Sequence, residues 1–170
     1  MILQPYVIMT ITPESVRETV GSFRYLSLRP YSVKSAKRTM EIGTAHCLEG
    51  ALVAALLMER LGHEPRLLNI GTDVEDPGTD RMKGLAVYVF KDENGWGAIG
   101  KTRYPPLDNR DAFQCVCSLA ESFVKPLEEI GYGTTMWGVN MLSDNYRWRD
   151  GNEDLGEMTR DFKIAIPFLG

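Results

Sequence analysis

The sequence contains no apolar run long enough to cross a membrane. The longest apolar stretch, residues 51–58, is far shorter than the roughly 20 residues that a membrane-spanning helix requires. Glu49 and Glu59 flank this stretch closely. The first residues lack both the basic leader and the small-residue cleavage site of a signal peptide. We therefore expect a cytoplasmic protein without a membrane partner.

An excess of positive charge is also absent. The chain has 19 Lys and Arg residues against 23 Asp and Glu residues, which gives a formal net charge of −4 at pH 7. Sequence-independent binding to nucleic acids depends on an excess of Lys and Arg. We therefore expect no nucleic-acid partner.

Cysteine is scarce, and its spacing matches no metal site. Cys115 and Cys117 are only two residues apart, so on a helix their side chains point in different directions. A reducing cytoplasm also disfavours disulfides. We therefore expect neither a disulfide framework nor a cysteine-bound metal.

An acidic loop follows residue 72 and raises the question of calcium. Its carboxylates are Asp73, Glu75, Asp76 and Asp80. An EF-hand loop needs a central Gly and a Glu at its twelfth position, and this spacing provides neither. Two readings remain, a solvated loop or a loop that binds a basic group of a substrate. We expect no metal and no cofactor.

The amino-acid composition is that of one ordinary folded domain. Apolar residues make up 44% and charged residues 25% of the 170 residues, as in a typical globular protein. Internal repeats and an obvious linker are lacking. We predict a single domain over residues 1–170.

Three helices are predicted in the first third of the chain. The first covers residues 12–21, and the second covers residues 32–42 and is closed by Gly43. The third, residues 47–61, consists of strong helix formers and is apolar nearly all round, which is typical of a buried central helix. Gly62 ends it.

A strand and a hairpin are predicted next. Residues 66–70 and 85–90 are short apolar runs typical of buried strands. An Asn-Gly turn at residues 92–95 joins the second run to a partner strand at residues 96–100. An amphipathic helix is predicted over residues 111–129.

The C-terminal region is harder to interpret. Pro126 is expected to kink or end the preceding helix early, and residues 162–168 are a candidate final strand. Helices come first in the chain and an antiparallel meander follows. This segregation indicates an α+β fold, with the central helix packed on a small antiparallel sheet between flanking helices.

Cys47 begins the central helix. The unpaired N–H groups and the dipole at a helix N-terminus favour an anion, which lowers the pKa of a thiol there. The same N–H groups can bind the oxyanion that forms when a thiolate attacks an acyl carbon. The other interpretation is that Cys47 is a small, buried apolar residue.

Two stretches of sequence resemble a known family. AHCLEGALVAALLMERLGHEP, followed by VYVF and GWGAIGK, resembles small bacterial transglutaminase-like proteins over residues 43–127. The resemblance implies a papain-like fold in which a Cys starts the central helix and forms a triad with a His and an Asp on the next two strands. It marks Cys47 as the nucleophile.

The sequence departs from that family at the other two triad positions. The resemblance places Leu85 where the catalytic His is expected and Gly100 where the Asp is expected. Neither residue can take a proton from a thiol. Gly84 precedes the first of these positions.

Only two histidines can replace the missing base. His46 precedes Cys47 directly, and we name it as a candidate base, with a capping or surface role as the alternative. His63 lies beyond the other end of the helix, roughly 20 Å from Cys47 at 1.5 Å per residue. His63 is therefore expected to have a structural role.

Substrate-binding candidates come from the strands near the expected site. Lys101 follows the expected Asp position and is either an electrostatic partner of Cys47 or an exposed lysine at a strand end. Trp96, Tyr104 and Trp137 are candidates to line an apolar groove, with ordinary core packing as the alternative. Leu85 makes the expected His position apolar.

Two functions follow from these residues. One is a cysteine-dependent hydrolase or acyltransferase acting on amides or thioesters, with Cys47 as nucleophile. The other is an inactive binding module that holds a peptide, a protein or a small molecule in the groove beside Cys47. A weaker third reading is a partner protein that uses the glycine-rich C-terminal third. The sequence leaves the oligomeric state open.

Overall fold

Local sequence signals set the ends of the first helices. The computed structural model describes residues 10–26, 32–73, 84–156 and 158. Its α-helices are α1 (Pro13–Ser22), α2 (Ala36–Ile42), α3 (Cys47–Glu59), α4 (Val116–Glu121) and α5 (Val124–Glu129). The Thr12 side chain accepts a hydrogen bond from the Ser15 backbone at the start of α1. Ser35 caps α2 in the same way, so α2 begins later than predicted.

The strands form one small pair and one larger sheet. They are β1 (Arg24–Tyr25), β2 (Thr44–Ala45), β3 (Arg66–Thr72), β4 (Gly84–Asp92), β5 (Gly95–Ile99), β6 (Asn109–Phe113) and β7 (Thr134–Met141). β1 and β2 pair in parallel. The other five form an antiparallel sheet in the order β6-β5-β4-β3-β7. The predicted α+β class is confirmed.

Helix α3 lies against one face of the five-stranded sheet. His63, just beyond the end of α3, makes an edge-to-face contact with Phe90, and Phe90 stacks on Tyr88. At the other end of α3, Gly50 packs against the Cβ of Lys101, directly after β5. The contacts of Phe90 and Tyr88 therefore place these two side chains on the side of β4 that faces α3. Because side chains alternate along a strand, the even-numbered residues of β4 lie on this face. We call it the helix face of the sheet.

The core forms where α3 meets the sheet. Residues 51–55 of α3 are completely buried, as are Val87, Tyr88 and Val89 of β4. Helices α1 and α2 also pack against α3. None of the helices within the described ranges is both long and apolar enough to span a membrane.

The region after β5 differs from the prediction. Residues 111–129 do not form one helix: the segment starts within the edge strand β6, and α4 and α5 follow separately. The helix breaks at Ser122 and Phe123, before Pro126, which lies in the first turn of α5, where proline is tolerated. The predicted strand at residues 162–168 lies outside the described residues.

The described residues also contain one disulfide, although the sequence indicated that a disulfide framework was improbable. Cys115 and Cys117 are joined, with their Cα atoms 5.3 Å apart. The expectation assumed that both residues lie on a helix. Cys115 instead precedes α4 with extended backbone angles, φ −138° and ψ 162°, so the two side chains can meet.

Candidate functional site

Cys47 is the first residue of α3, as the sequence predicted. Its neighbour His46 caps the helix in an extended conformation. The Cys47 side chain is only 5% exposed and lies beside the backbone of Ala86 in β4. Burial raises the pKa of the Cys47 thiol above its ordinary value, and the hydrogen bond with the Ala86 backbone offsets this only in part. The thiol is therefore protonated near neutral pH.

A buried ion pair lies within one turn of Cys47. The carboxylate of Glu49 is completely buried, and Lys34 Nζ lies 2.8 Å from each of its oxygens. The backbone N–H groups of Lys34 and His46 also donate to it, at 2.9 and 3.2 Å. These contacts join the segment before α2 to the start of α3.

His46 completes this cluster. His46 is 3% exposed, and its Nε2 lies 3.4 Å from Oε1 of Glu49. Burial lowers the pKa of His46; Glu49 raises it and Lys34 lowers it, with smaller effects. The imidazole is therefore neutral at pH 7. A neutral imidazole can accept a proton, but Nε2 of His46 lies next to the carboxylate of Glu49.

Leu85 does not share the helix face with Cys47. Leu85 pairs with Ile70, and Ile70 pairs with Trp137, so these three side chains lie on the sheet face opposite α3. The residue of β4 that lies beside the thiol is Ala86. The register of β4 therefore places the side chain of Leu85 on the sheet face away from Cys47.

The expected Asp position has no space for a side chain. A Cβ added to Gly100 would lie 2.6 Å from Cγ1 of Val87 and 3.0 Å from the carbonyl oxygen of Asp108. The next residue, Lys101, is close to the start of α3, but its Nζ donates to the Gly21 carbonyl at 2.8 Å. The ammonium group therefore binds the end of α1, which is a favourable place for a cation.

Trp96 lies apart from Cys47. Trp96 pairs with Lys91, five residues along β4 from Ala86, or about 17 Å at 3.4 Å per residue. Its ring lies under the guanidinium of Arg66, 5.7 Å from centroid to Cζ. The structure therefore does not bring Trp96 and Cys47 together.

Tyr104 and Trp137 pack against the core. Tyr104 is half-buried in the connection after β5, where its N–H donates to Oγ1 of Thr102. Trp137 belongs to β7 and lies on the face away from α3. Both positions fit the core interpretation of these aromatic residues.

His63 has the structural surroundings that were expected. Its backbone N–H donates to the carbonyl of Met58 at 3.2 Å, which satisfies one of the last carbonyls of α3. Asp73 of the acidic loop exchanges hydrogen bonds with the backbone of Gly133. The rest of that loop lies outside the described residues.

Lys34 and Glu49 were missed as site residues. The sequence offered one signal for Glu49, because it is the single charged residue in the otherwise apolar run from Cys47 to Met58. A lone carboxylate on a fully buried helix needs a partner. Lys34 itself carried no signal, since it lies in a segment with several other basic residues.

The geometry at Cys47 combines a helix N-terminus, a buried thiol and a fixed carboxylate. No protein-family model matches this sequence, and no curated protein matches it. The candidate site is therefore judged by its own contacts.

Proposed function

We propose that this chain is a catalytically silent module of the transglutaminase-like type, which binds a peptide or a small molecule beside the start of α3. The burial of the Cys47 thiol carries this proposal. A thiol is a weak nucleophile, and the thiolate is the reactive form. Burial holds Cys47 in the thiol form at neutral pH.

The surroundings of Cys47 offer little help to a reaction. The β4 residues on the helix face beside it are Gly84 and Ala86, which carry no ionisable group. Lys101 is bound to a carbonyl at the end of α1. Acyl transfer from an amide needs a group that protonates the leaving amine. A site of this composition favours binding over chemistry.

The small residues beside the thiol support a binding role. A triad would require an imidazole on β4 next to the thiol, whereas Gly84 and Ala86 fill the least space of any residues. Gly84 is only half-buried, so this end of β4 reaches the surface. At the start of α3 the backbone N–H groups of Cys47 and Leu48 interact with the Cys47 sulfur, and a ligand carbonyl or carboxylate that reaches them would share these donors.

An enzyme remains the second candidate, and one observation favours it. Cys47 begins a helix of 13 residues, the place where helix N–H groups stabilise both a thiolate and an oxyanion. A neutral His46 precedes it. The two candidates make opposite predictions for the reactivity of the thiol.

Alkylation of Cys47 with iodoacetamide between pH 5 and 9.5 distinguishes them. Peptide mapping by mass spectrometry follows Cys47 separately from the other cysteines, and Cys47→Ser gives the background. A silent module alkylates at least about tenfold more slowly when folded than in denaturant, with an apparent thiol pKa above the ordinary value of about 8.5. Rapid alkylation that persists at pH 6 contradicts the proposal and supports the enzyme.

Binding is tested by protection of the same thiol. Peptides selected from a displayed random library on the full chain are added during alkylation at pH 9. A peptide that binds beside α3 slows the alkylation of Cys47 in the folded chain. It leaves the alkylation rate of Cys47 in denaturant unchanged. Selected peptides that bind without any protection of Cys47 contradict a binding site at this place.

A further inference from the structure

The Cys115–Cys117 disulfide lies away from the candidate site. It connects the end of β6 to the start of α4. Phe113 of β6 pairs with Trp96 at the end of β5 that is remote from Cys47. The pair is therefore independent of the proposed function.

The two sulfur atoms of this pair are in different surroundings. Cys117 is exposed, whereas Cys115 is half-buried. The Sγ atom of Cys115 accepts a hydrogen bond from the Ser118 backbone N–H at 3.2 Å and lies 3.4 Å from the Ser118 hydroxyl oxygen. An external thiolate reaches the sulfur of Cys117 more easily, while the sulfur of Cys115 has one backbone donor, the Ser118 N–H, that stabilises negative charge; the Ser118 hydroxyl donates to the Cys115 carbonyl instead.

This difference has a chemical consequence. In thiol–disulfide exchange the attacked sulfur must be accessible, and the reaction is faster when the leaving sulfur has a lower pKa. Hydrogen bonds to a thiolate lower its pKa. Cys117 therefore suits the role of attacked sulfur, and Cys115 suits the role of leaving group.

We propose that Cys115 and Cys117 form a thiol–disulfide exchange site for low-molecular-weight thiols. A thiolate attacks Sγ of Cys117, the Cys115–Cys117 bond breaks, and its electron pair goes to Cys115, which takes up a proton. Cys117 then carries the mixed disulfide. A second thiolate attacks the outer sulfur of that mixed disulfide, so Cys117 leaves as a thiolate and takes up a proton. Two thiols are oxidised to one disulfide and the pair is reduced.

The surrounding structure tolerates this reaction. The buried side chains that hold α4 and the following turn in the core are Leu119, Ala120 and Phe123, all completely buried. They follow the pair in the chain and lie in the core rather than at the exposed disulfide. Exchange therefore leaves the fold intact.

The position of the mixed disulfide tests the proposal. The full chain, purified without reductant, is incubated with reduced glutathione at pH 7.5, quenched with acid and mapped by mass spectrometry. We expect an internal disulfide at the start, then a glutathione adduct on Cys117, then two free thiols.

The role of Ser118 is tested by Ser118→Ala. The variant retains the backbone N–H that donates to Sγ of Cys115 and loses only a hydroxyl that donates to the Cys115 carbonyl, so reduction by glutathione should change by less than about twofold. Circular dichroism checks that each variant remains folded. The proposal is overturned if the purified chain shows two free thiols that do not pair in oxidised glutathione. It is overturned equally if the adduct forms first on Cys115.

Discussion

Lys34 Nζ lies 2.8 Å from both carboxylate oxygens of Glu49, a side chain that is completely buried at the start of the Cys-bearing helix. The two residues are 15 positions apart in the chain. Two backbone N–H groups complete the hydrogen bonds of the carboxylate. This contact fixes the place where the segment before α2 crosses the start of α3, and therefore fixes the surroundings of Cys47.

Glu49→Gln is expected to destabilise the fold by about 3 kcal/mol, since removing one partner of a buried ion pair leaves the other uncompensated. A glutamine also places an amide N–H₂ against N–H donors. Urea denaturation measures the change in the free energy of unfolding. The matched control is Glu41→Gln, which breaks an exposed pair with Arg38 and should cost less than about 0.5 kcal/mol. Equal effects of the two variants would contradict the structural role of Glu49.

His46 should make the fold sensitive to mild acid. Burial lowers its pKa in the folded state, so the unfolded chain takes up a proton first as the pH falls below about 6.5. The unfolded state then binds more protons than the folded state, and stability decreases with falling pH until the folded-state pKa is reached.

Urea denaturation between pH 7.5 and 5.5 measures this dependence. His46→Gln should flatten it over that window, whereas His63→Gln, which retains His46, should keep it. A wild-type slope that persists unchanged in His46→Gln would assign the effect to other groups.

The sequence was most informative where local signals are strong. The central helix was predicted at residues 47–61 and observed at Cys47–Glu59, and the hairpin of β4 and β5 was predicted from its Asn-Gly turn. A fully apolar helix and a two-residue turn are properties of short segments, so no distant contact is needed to identify them.

The elements that were missed depend on distant partners. β7 (Thr134–Met141) pairs with β3, more than sixty residues earlier in the chain. As an edge strand it mixes Gly138 and Asn140 with apolar residues, so it lacks clear alternation. β6 is a polar edge strand with the same difficulty. At the site, Cys47 was predicted from its helix position, but Lys34 and the register of β4 follow from tertiary contacts alone.

Arg149→Lys should weaken the attachment of the C-terminal region to α3. Arg149 binds Glu59 through Nε and Nη2, at 2.8 and 2.6 Å, also binds Asp144, and stacks on Trp148. Lysine has neither the planar fork nor the same stacking surface, so we expect a loss of about 1–2 kcal/mol in urea denaturation.

Arg147→Lys provides the control for that experiment. Arg147 makes one exposed contact, 3.6 Å from Asp150, and its replacement should change stability by less than about 0.5 kcal/mol. The importance of the fork would be refuted if the two substitutions had the same cost.

Gly100→Ala should destabilise the fold by about 1–3 kcal/mol, because the new methyl group would overlap Val87 in a packed core. Gly21→Ala is the matched control: it lies within α1, and a Cβ there meets no atom within 4 Å. It should stabilise the protein by about 0.5–1 kcal/mol through its helix propensity. Thermal and urea denaturation of both variants measure the difference, and a neutral Gly100→Ala would show that this strand end has room for a larger side chain.

Ala86→His should partly restore reactivity to Cys47. Ala86 lies beside the thiol on the helix face, so an imidazole there can form an ion pair with the thiolate and lower the thiol pKa. We expect alkylation by iodoacetamide at pH 7 to rise at least about tenfold over the wild-type chain.

Leu85→His is the control, because its side chain lies on the opposite face with Ile70 and Trp137. It should leave the rate at Cys47 unchanged and lower stability by burying an imidazole among apolar side chains. Circular dichroism checks folding of both variants. If Leu85→His activates the thiol and Ala86→His does not, the assignment of Ala86 to the helix face and of Leu85 to the opposite face is wrong. The position implied by the transglutaminase-like resemblance is then the correct one.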